Sequence, residues 1–111
     1  MNINPCILLN IKNPNDCDEK PTEDAINNAK LCIEKLNSFN QIYPINIFIS
    51  YLGGIEFLFR FMAKECSLDC LNDGKILLYF YIPEVLIKNK AFCISDIDLA
   101  LIEIKSFLEE L

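Results

Sequence analysis

The chain has 111 residues, of which 52% are hydrophobic and 23% charged, with a formal net charge of −6 at pH 7. This length suits a single domain spanning residues 1–111, and the hydrophobic content excludes a disordered chain. The ten lysines and arginines form no basic stripe, so the acidic surface argues against direct nucleic-acid binding.

The first half of the chain predicts an arm, a helix and a strand. The apolar run at residues 6–11 suits an edge strand or a docked arm. Thr22 is placed to cap a helix that ends near Ser38. Its apolar stripe has three-to-four spacing and comprises Ala25, Ile26, Ala29, Ile33 and Leu36. After Pro44 the period changes to two, which predicts a strand with Ile45, Ile47 and Ile49 on one face.

The second half predicts three more strands and a second helix. Gly53-Gly54 turns into a strand whose core side is Ile55, Phe57, Phe59 and Phe61. A third strand near residues 66–71 turns at Asn72-Asp73-Gly74 into a fourth at residues 76–82. We expect an irregular connection at residues 84–94, followed by a helix that Ser95 opens in a near capping box. Its buried stripe is Ile97, Ala100, Leu101, Ile104, Phe107, Leu108 and Leu111. The predicted fold is α+β, an antiparallel meander of about four strands with two helices packed on one face.

The candidate binding site is the sheet face that two helices on one side leave uncovered. Aromatic, aliphatic and charged side chains alternate onto it, and exposed apolar patches with tyrosine, methionine and arginine are typical of protein interfaces. The predicted partner-binding residues are Phe48, Glu56, Leu58, Arg60, Met62, Leu77, Tyr79 and Tyr81. The alternative is that the N-terminal run Ile7-Leu8-Leu9 folds back over this face.

The sequence lacks the residue combinations on which common enzyme mechanisms depend. The chain has no histidine, no visible partner for a serine or cysteine nucleophile, and no phosphate-binding loop after Gly53-Gly54. The six cysteines include no Cys-x-x-Cys pair, so we expect free thiols rather than a metal centre, and the acidic residues Asp16, Asp18 and Glu19 suit a solvated loop. We therefore predict no catalytic residues, no cofactor and no metal.

The location of the protein follows from two absent patterns. Residues 1–5 do not begin a secretory signal, and the longest nearly uncharged run, at about residues 39–55, is broken by polar residues and glycines. We expect a cytoplasmic protein that does not span a membrane.

One segment resembles a group of small bacterial proteins. Members carry a Trp-Asp-Gly segment, a helix, a Gly-Gly-Ile-x-Leu-Glu-Trp strand and an Asp-Gly hairpin. Residues 16–82 of this chain are similar, because Asp18, Gly53-Gly54-Ile55-x-Phe57 and Asp73-Gly74 follow one another in the same order. Cys17 and Phe59 stand where that pattern has its two tryptophans, and Leu58 stands where it has the glutamate. The resemblance implies no activity, but its members look like antitoxin-like or accessory proteins of mobile and defence loci.

Two functional hypotheses follow. In the first, the protein is an antitoxin, immunity or accessory factor that binds a protein partner, such as a toxin or a defence enzyme, through its sheet face. In the second, it is an acidic inhibitor that mimics nucleic acid at a basic groove of an enzyme. A homodimer through the sheet face is compatible with both.

Overall fold

A computed structural model of the protein describes residues 2–13, 19–83 and 85–110. A short 3-10 helix, Pro5–Asn10, precedes the first α-helix, and another, Ile94–Asp96, precedes the second. The main elements are α1 (Glu23–Phe39), β1 (Asn46–Ile49), β2 (Ile55–Phe61), β3 (Lys64–Cys70), β4 (Ile76–Tyr81), β5 (Leu86–Phe92) and α2 (Ile97–Glu109).

The strands form one antiparallel sheet in the order β1-β2-β3-β4-β5, so each strand pairs with the next one along the chain. The predicted α+β meander is confirmed, but it has five strands instead of about four. β5 occupies the segment predicted to be an irregular connection. Its sequence, LIKNKAF, lacks a clear apolar alternation because this edge strand has only Phe92 even partly buried.

The core lies between the sheet and both helices. The helix-facing residues of β2, β3 and β4 alternate regularly, and Phe57, Phe59 and Phe80 are fully buried there. Phe80 packs edge-to-face against Phe107 of α2, with ring centroids 4.9 Å apart. The prediction that Phe61 is a core residue is wrong: it is 55% exposed, because it is the last residue of β2 and adjoins the hairpin turn.

The two helices begin differently. The Thr22 side chain accepts a hydrogen bond from the backbone N–H of Ala25, as predicted, and α1 ends at a left-handed Asn40. The capping role predicted for Ser95 is wrong, since Ser95 lies inside the 3-10 turn and α2 starts two residues later. The α2 stripe from Ile97 to Leu108 is buried as predicted, and Leu111 lies outside the described residues.

The N-terminal segment docks beside α1 as an arm. Asn37 of α1 donates to the carbonyl of Ile3 and accepts from its N–H, at 2.9 and 2.7 Å. Farther along, Lys12 bridges to Phe48 in parallel, and its carbonyl accepts from the N–H of Ile49 at 2.8 Å. The described part of this segment therefore lies against α1 and the outer edge of β1. In the described ranges, no helix has the length and apolar character to cross a membrane.

Candidate protein-binding face

The sheet face that points away from α1 and α2 is the candidate site, and we call it the open face. Successive side chains of a strand point to opposite sides of the sheet, so the residues between the buried core positions form the open face. The side chains that define it are Phe48, Glu56, Leu58, Arg60, Glu65, Ser67, Asp69, Leu77, Tyr79 and Tyr81.

The structure brings seven of the eight predicted partner-binding residues together on the open face, the exception being Met62. Met62 lies in the turn between β2 and β3, with a φ of 56° and 84% of its surface exposed. The prediction extended the strand alternation one residue too far. β2 ends at Phe61, which pairs with Lys64, so the chain reverses at Met62 and Ala63.

Sequence reasoning missed the contribution of β3. Glu65, Ser67 and Asp69 lie at the centre of the open face because β2 and β4 flank this strand. The alternation of Cys66, Leu68 and Cys70, all buried toward the helices, was the signal that would have placed the intervening polar residues on the opposite side.

The register arranges the open face in rows across the strands. Phe48, Glu56, Asp69 and Leu77 form the row nearest the β1–β2 turn. The next row contains Leu58, Ser67 and Tyr79, and the third contains Arg60, Glu65 and Tyr81. Polar side chains thus occupy the central strand, with Leu77, Tyr79 and Tyr81 beside them on β4 and Glu56, Leu58 and Arg60 beside them on β2.

Two carboxyl groups of the first row have altered acidity. Desolvation raises the pKa of Glu56, and a hydrogen bond that its Oε2 accepts from the Ser67 hydroxyl at 3.2 Å opposes the rise. Desolvation and the charge of Glu56 raise the pKa of Asp69 to about 7. The nearby Ser50 hydroxyl partly offsets that rise in the pKa of Asp69. Asp69 is therefore partly protonated near neutral pH.

The third row contains an ion pair. Nε and Nη2 of Arg60 donate to Oε1 of Glu65 at 2.8 and 2.5 Å. The pair is partly exposed, so it contributes at most about 1 kcal/mol to stability. Its more important effect is on charge, since Glu65 neutralises Arg60 and leaves the first row acidic.

The two glycines before β2 shape the turn that borders the first row. Gly53 has a φ of +90°, which favours glycine, and a Cβ on Gly54 would lie 2.3 Å from the carbonyl oxygen of Cys70. The Gly-Gly-Ile segment of the sequence resemblance therefore has a structural role here: it brings the turn close to β3. Asp16, Cys17 and Asp18, which also entered the sequence predictions, lie outside the described residues.

The described cysteines include one close buried pair. The sulfur atoms of Cys32 and Cys70 are 3.8 Å apart between α1 and β3, and a hydrogen bond to Cys32 together with burial raises the pKa of Cys70. Burial also raises the pKa of the Cys66 thiol. Neutral thiols of this kind are poor nucleophiles. Within residues 2–13, 19–83 and 85–110, no three potential ligands are grouped to hold a metal ion.

Comparison with protein-family models, curated proteins and solved structures found no match to this chain.

Proposed function

We propose that this protein is a non-enzymatic interaction module that binds a partner protein through the open face. Antitoxin, immunity and accessory factors of defence or mobile-element loci are the class that this activity fits. The observation that carries the proposal is the one-sided packing of the fold. Both helices cover the same side of the sheet, and the half-buried Phe48, Leu58, Leu77, Tyr79 and Tyr81 lie on the other.

The composition of the open face supports protein binding. Burial of the apolar area that these half-buried side chains still expose contributes roughly 25 cal/mol per Å², and tyrosine is enriched among residues that dominate binding energy. The aromatic residues belong to regular strands, so their backbone is already ordered before binding. This preorganisation reduces the entropy that a partner must offset.

The exposed edge of the sheet is a poorer route to association than the open face. On β5, Lys88 and Lys90 point to the helix side, where both approach Glu103 at 3.3 Å. Lysines on an edge strand oppose the addition of another strand. This arrangement favours contact through the face of the sheet, for a partner protein and for a second copy alike.

Affinity capture from the native host tests the proposal. We expect one stoichiometric protein partner, and we expect the double substitution Leu58→Asp and Tyr79→Asp to abolish capture while circular dichroism shows an unchanged fold. The matched control is Leu99→Asp with Ile102→Asp, which changes exposed apolar residues of α2 and should leave capture intact. Equal capture by the open-face variant and the parent would refute the proposal.

The same complex distinguishes the nucleic-acid mimic from the sheet-face binder. Displacement of the partner by DNA or RNA, with a steep loss of affinity as salt rises, is the result that mimicry requires. Sedimentation velocity of the pure parent and of the open-face variant shows whether the same surface also forms a homodimer. A dimer that the variant loses would make the second copy the partner.

A further inference from the structure

The first row of the open face contains two acidic groups, and the nearest cation in register with them is Lys12, which bridges to Phe48 at the outer edge of β1. Glu56 and Asp69 are directly opposed on β2 and β3, which places their Cβ atoms about 4.5–5.5 Å apart. Among the described residues, neither carboxyl forms a salt bridge, and Arg60 in the third row is paired with Glu65. Like charges in this position oppose folding unless a proton or an external cation compensates them.

A second observation is that buried polar atoms next to Glu56 have unused hydrogen-bonding capacity. Asp69 is only 4% exposed, yet its Oδ1 has no hydrogen-bond partner in the described structure, and the buried hydroxyl oxygen of Ser50 beside it is also without one. A buried polar atom in this state costs about 1–3 kcal/mol. Glu56 is half-buried, so its carboxylate is the member of the pair that a ligand reaches directly.

From this geometry we infer that the Glu56–Asp69 pair receives the guanidinium group of an arginine from the partner protein. The inference rests on the proposed function and adds the chemistry of the contact. A guanidinium is planar, offers several donors to a carboxylate and stacks on aromatic rings. Phe48 is directly opposite Glu56, and Tyr79 follows the pair in the next row, so aromatic faces border the acidic site. A metal ion is a poorer fit, because no third ligand is grouped with the pair in the described chain.

Binding at Glu56 should be coupled to the proton on Asp69. The titratable groups that share the open face with Asp69 and interact with it are Glu56 from β2 and Tyr79 from β4, and neither carries positive charge. Cys70 interacts with Asp69 from the helix side of the sheet, and Lys12 beside Phe48 is the nearest cation in the row. The charge of Glu56 adds to the desolvation that raises the pKa of Asp69, so a cation beside Glu56 lowers that pKa and favours ionisation of Asp69 as the guanidinium binds. Affinity should therefore increase as pH rises through the range in which Asp69 titrates, from pH 6 to pH 8.

Carbon-13 NMR of the side-chain carboxyl groups provides the test. The probe is N-acetyl-arginine amide, and N-acetyl-citrulline amide is its neutral control of similar shape. The expected result is a saturable shift of the Glu56 and Asp69 signals with the arginine compound, and a lower titration midpoint for Asp69. Equal shifts with citrulline, or no saturable shift with either compound, would overturn the inference.

Substitution of the accessible carboxylate localises the effect. Glu56→Gln keeps the size of the side chain and should weaken the arginine probe by about tenfold or more. Glu34→Gln changes an exposed carboxylate on α1 and should leave binding unchanged. Undiminished binding by Glu56→Gln would show that the probe does not use this site. Equal affinity for N-acetyl-lysine amide would overturn the assignment to arginine.

Partner capture separates a failure of this inference from a failure of the proposed function. If the Leu58 and Tyr79 substitutions abolish capture but Glu56→Gln does not, the open face binds a partner and the arginine contact is refuted. If the probe binds at Glu56 but the Leu58 and Tyr79 substitutions leave capture unchanged, the cation site is real and the proposed interface is refuted.

Discussion

Thr22 and Asn72, fifty residues apart in the chain, form two hydrogen bonds with each other. The backbone N–H of Thr22 donates to Asn72 Oδ1 at 2.8 Å, and the Thr22 hydroxyl donates to the carbonyl of Asn72 at 3.0 Å. Because Thr22 also caps α1, this contact joins the start of the helix to the β3–β4 turn. The side-chain amide of Asn72 additionally donates to the carbonyl of Lys20 at 3.3 Å. The Asn72 side chain therefore links the start of α1 to the β3–β4 turn, to which the Asn28 side-chain amide of α1 also donates through the Gly74 carbonyl at 3.0 Å.

Replacement of that side chain should destabilise the fold. We expect Asn72→Ala to lower the free energy of unfolding by about 1–2 kcal/mol, since it removes the acceptor for the Thr22 N–H and the donor to the Lys20 carbonyl, and each hydrogen bond contributes about 0.5–1.5 kcal/mol. Urea denaturation measures the loss. Asn27→Ala on the exposed side of α1 is the control and should be neutral or slightly stabilising, because alanine has the higher helix propensity. Similar losses in both variants would contradict the proposed role of Asn72.

The Gly53-Gly54 turn predicts a second difference in stability. An alanine at position 54 would place its Cβ 2.3 Å from the Cys70 carbonyl oxygen, so β2 and β3 would have to separate locally. We expect Gly54→Ala to cost ~3 kcal/mol in free energy of unfolding. Gly74→Ala provides the comparison, since its Cβ would lie an ordinary 3.9 Å from Oδ2 of Asp24, and only its φ of +91° opposes the change. A cost of about 1–2 kcal/mol is expected there.

The tip of the β2–β3 hairpin predicts a gain in stability. Met62 has a φ of 56°, a conformation that glycine adopts without steric cost, and its side chain is almost fully exposed. Met62→Gly should therefore raise the free energy of unfolding by about 1 kcal/mol. Ala63→Gly is the control, because Ala63 has no positive φ and glycine there only adds freedom to the unfolded chain. An unchanged or lower urea midpoint for Met62→Gly would show that the turn is not strained.

The acidity of Asp69 makes stability depend on pH. Its pKa is about 7 in the folded protein and near 3.9 when unfolded, so the folded state binds more protons between these values. Stability contributed by this group is fully present below pH 4 and is lost as pH rises to 7. Asp69→Asn should remove the loss of stability that the ionisation of Asp69 causes. The variant should therefore be more stable than the parent at pH 8, by a few kcal/mol at most, since one pKa unit corresponds to about 1.4 kcal/mol.

Urea denaturation at pH 5 and pH 8 measures this effect. The pKa of Glu56 is also raised, by desolvation, so Asp69→Asn keeps the part of the pH dependence that Glu56 contributes. The exposed Glu34→Gln variant should keep the pH dependence of the parent. If the Asp69→Asn variant also kept the full pH dependence of the parent, Asp69 would not be the group whose ionisation opposes folding.

Local patterns in the sequence were sufficient for much of the architecture. The apolar stripe and Thr22 cap of α1, the alternation in β2 and β4, and the one-sided packing of the helices all follow from side-chain periodicity and capping chemistry. β5 was missed because an edge strand buries little and so leaves a weak apolar pattern. Its position depends on pairing with β4 instead.

The acidic centre of the open face was decided only by tertiary structure. From the sequence, Glu56 is a solvent-facing residue of one strand, and Asp69 lies thirteen positions later with no visible relation to it. Strand register places the two carboxyls opposite each other, and the β1–β2 turn comes close enough to bury Asp69 beside Ser50. Periodicity states which side of a strand a residue occupies, because that depends on the backbone alone. Which residue lies across from it, and how much water remains there, depends on strands folding together, so the charge and acidity of the site arise only in the assembled sheet.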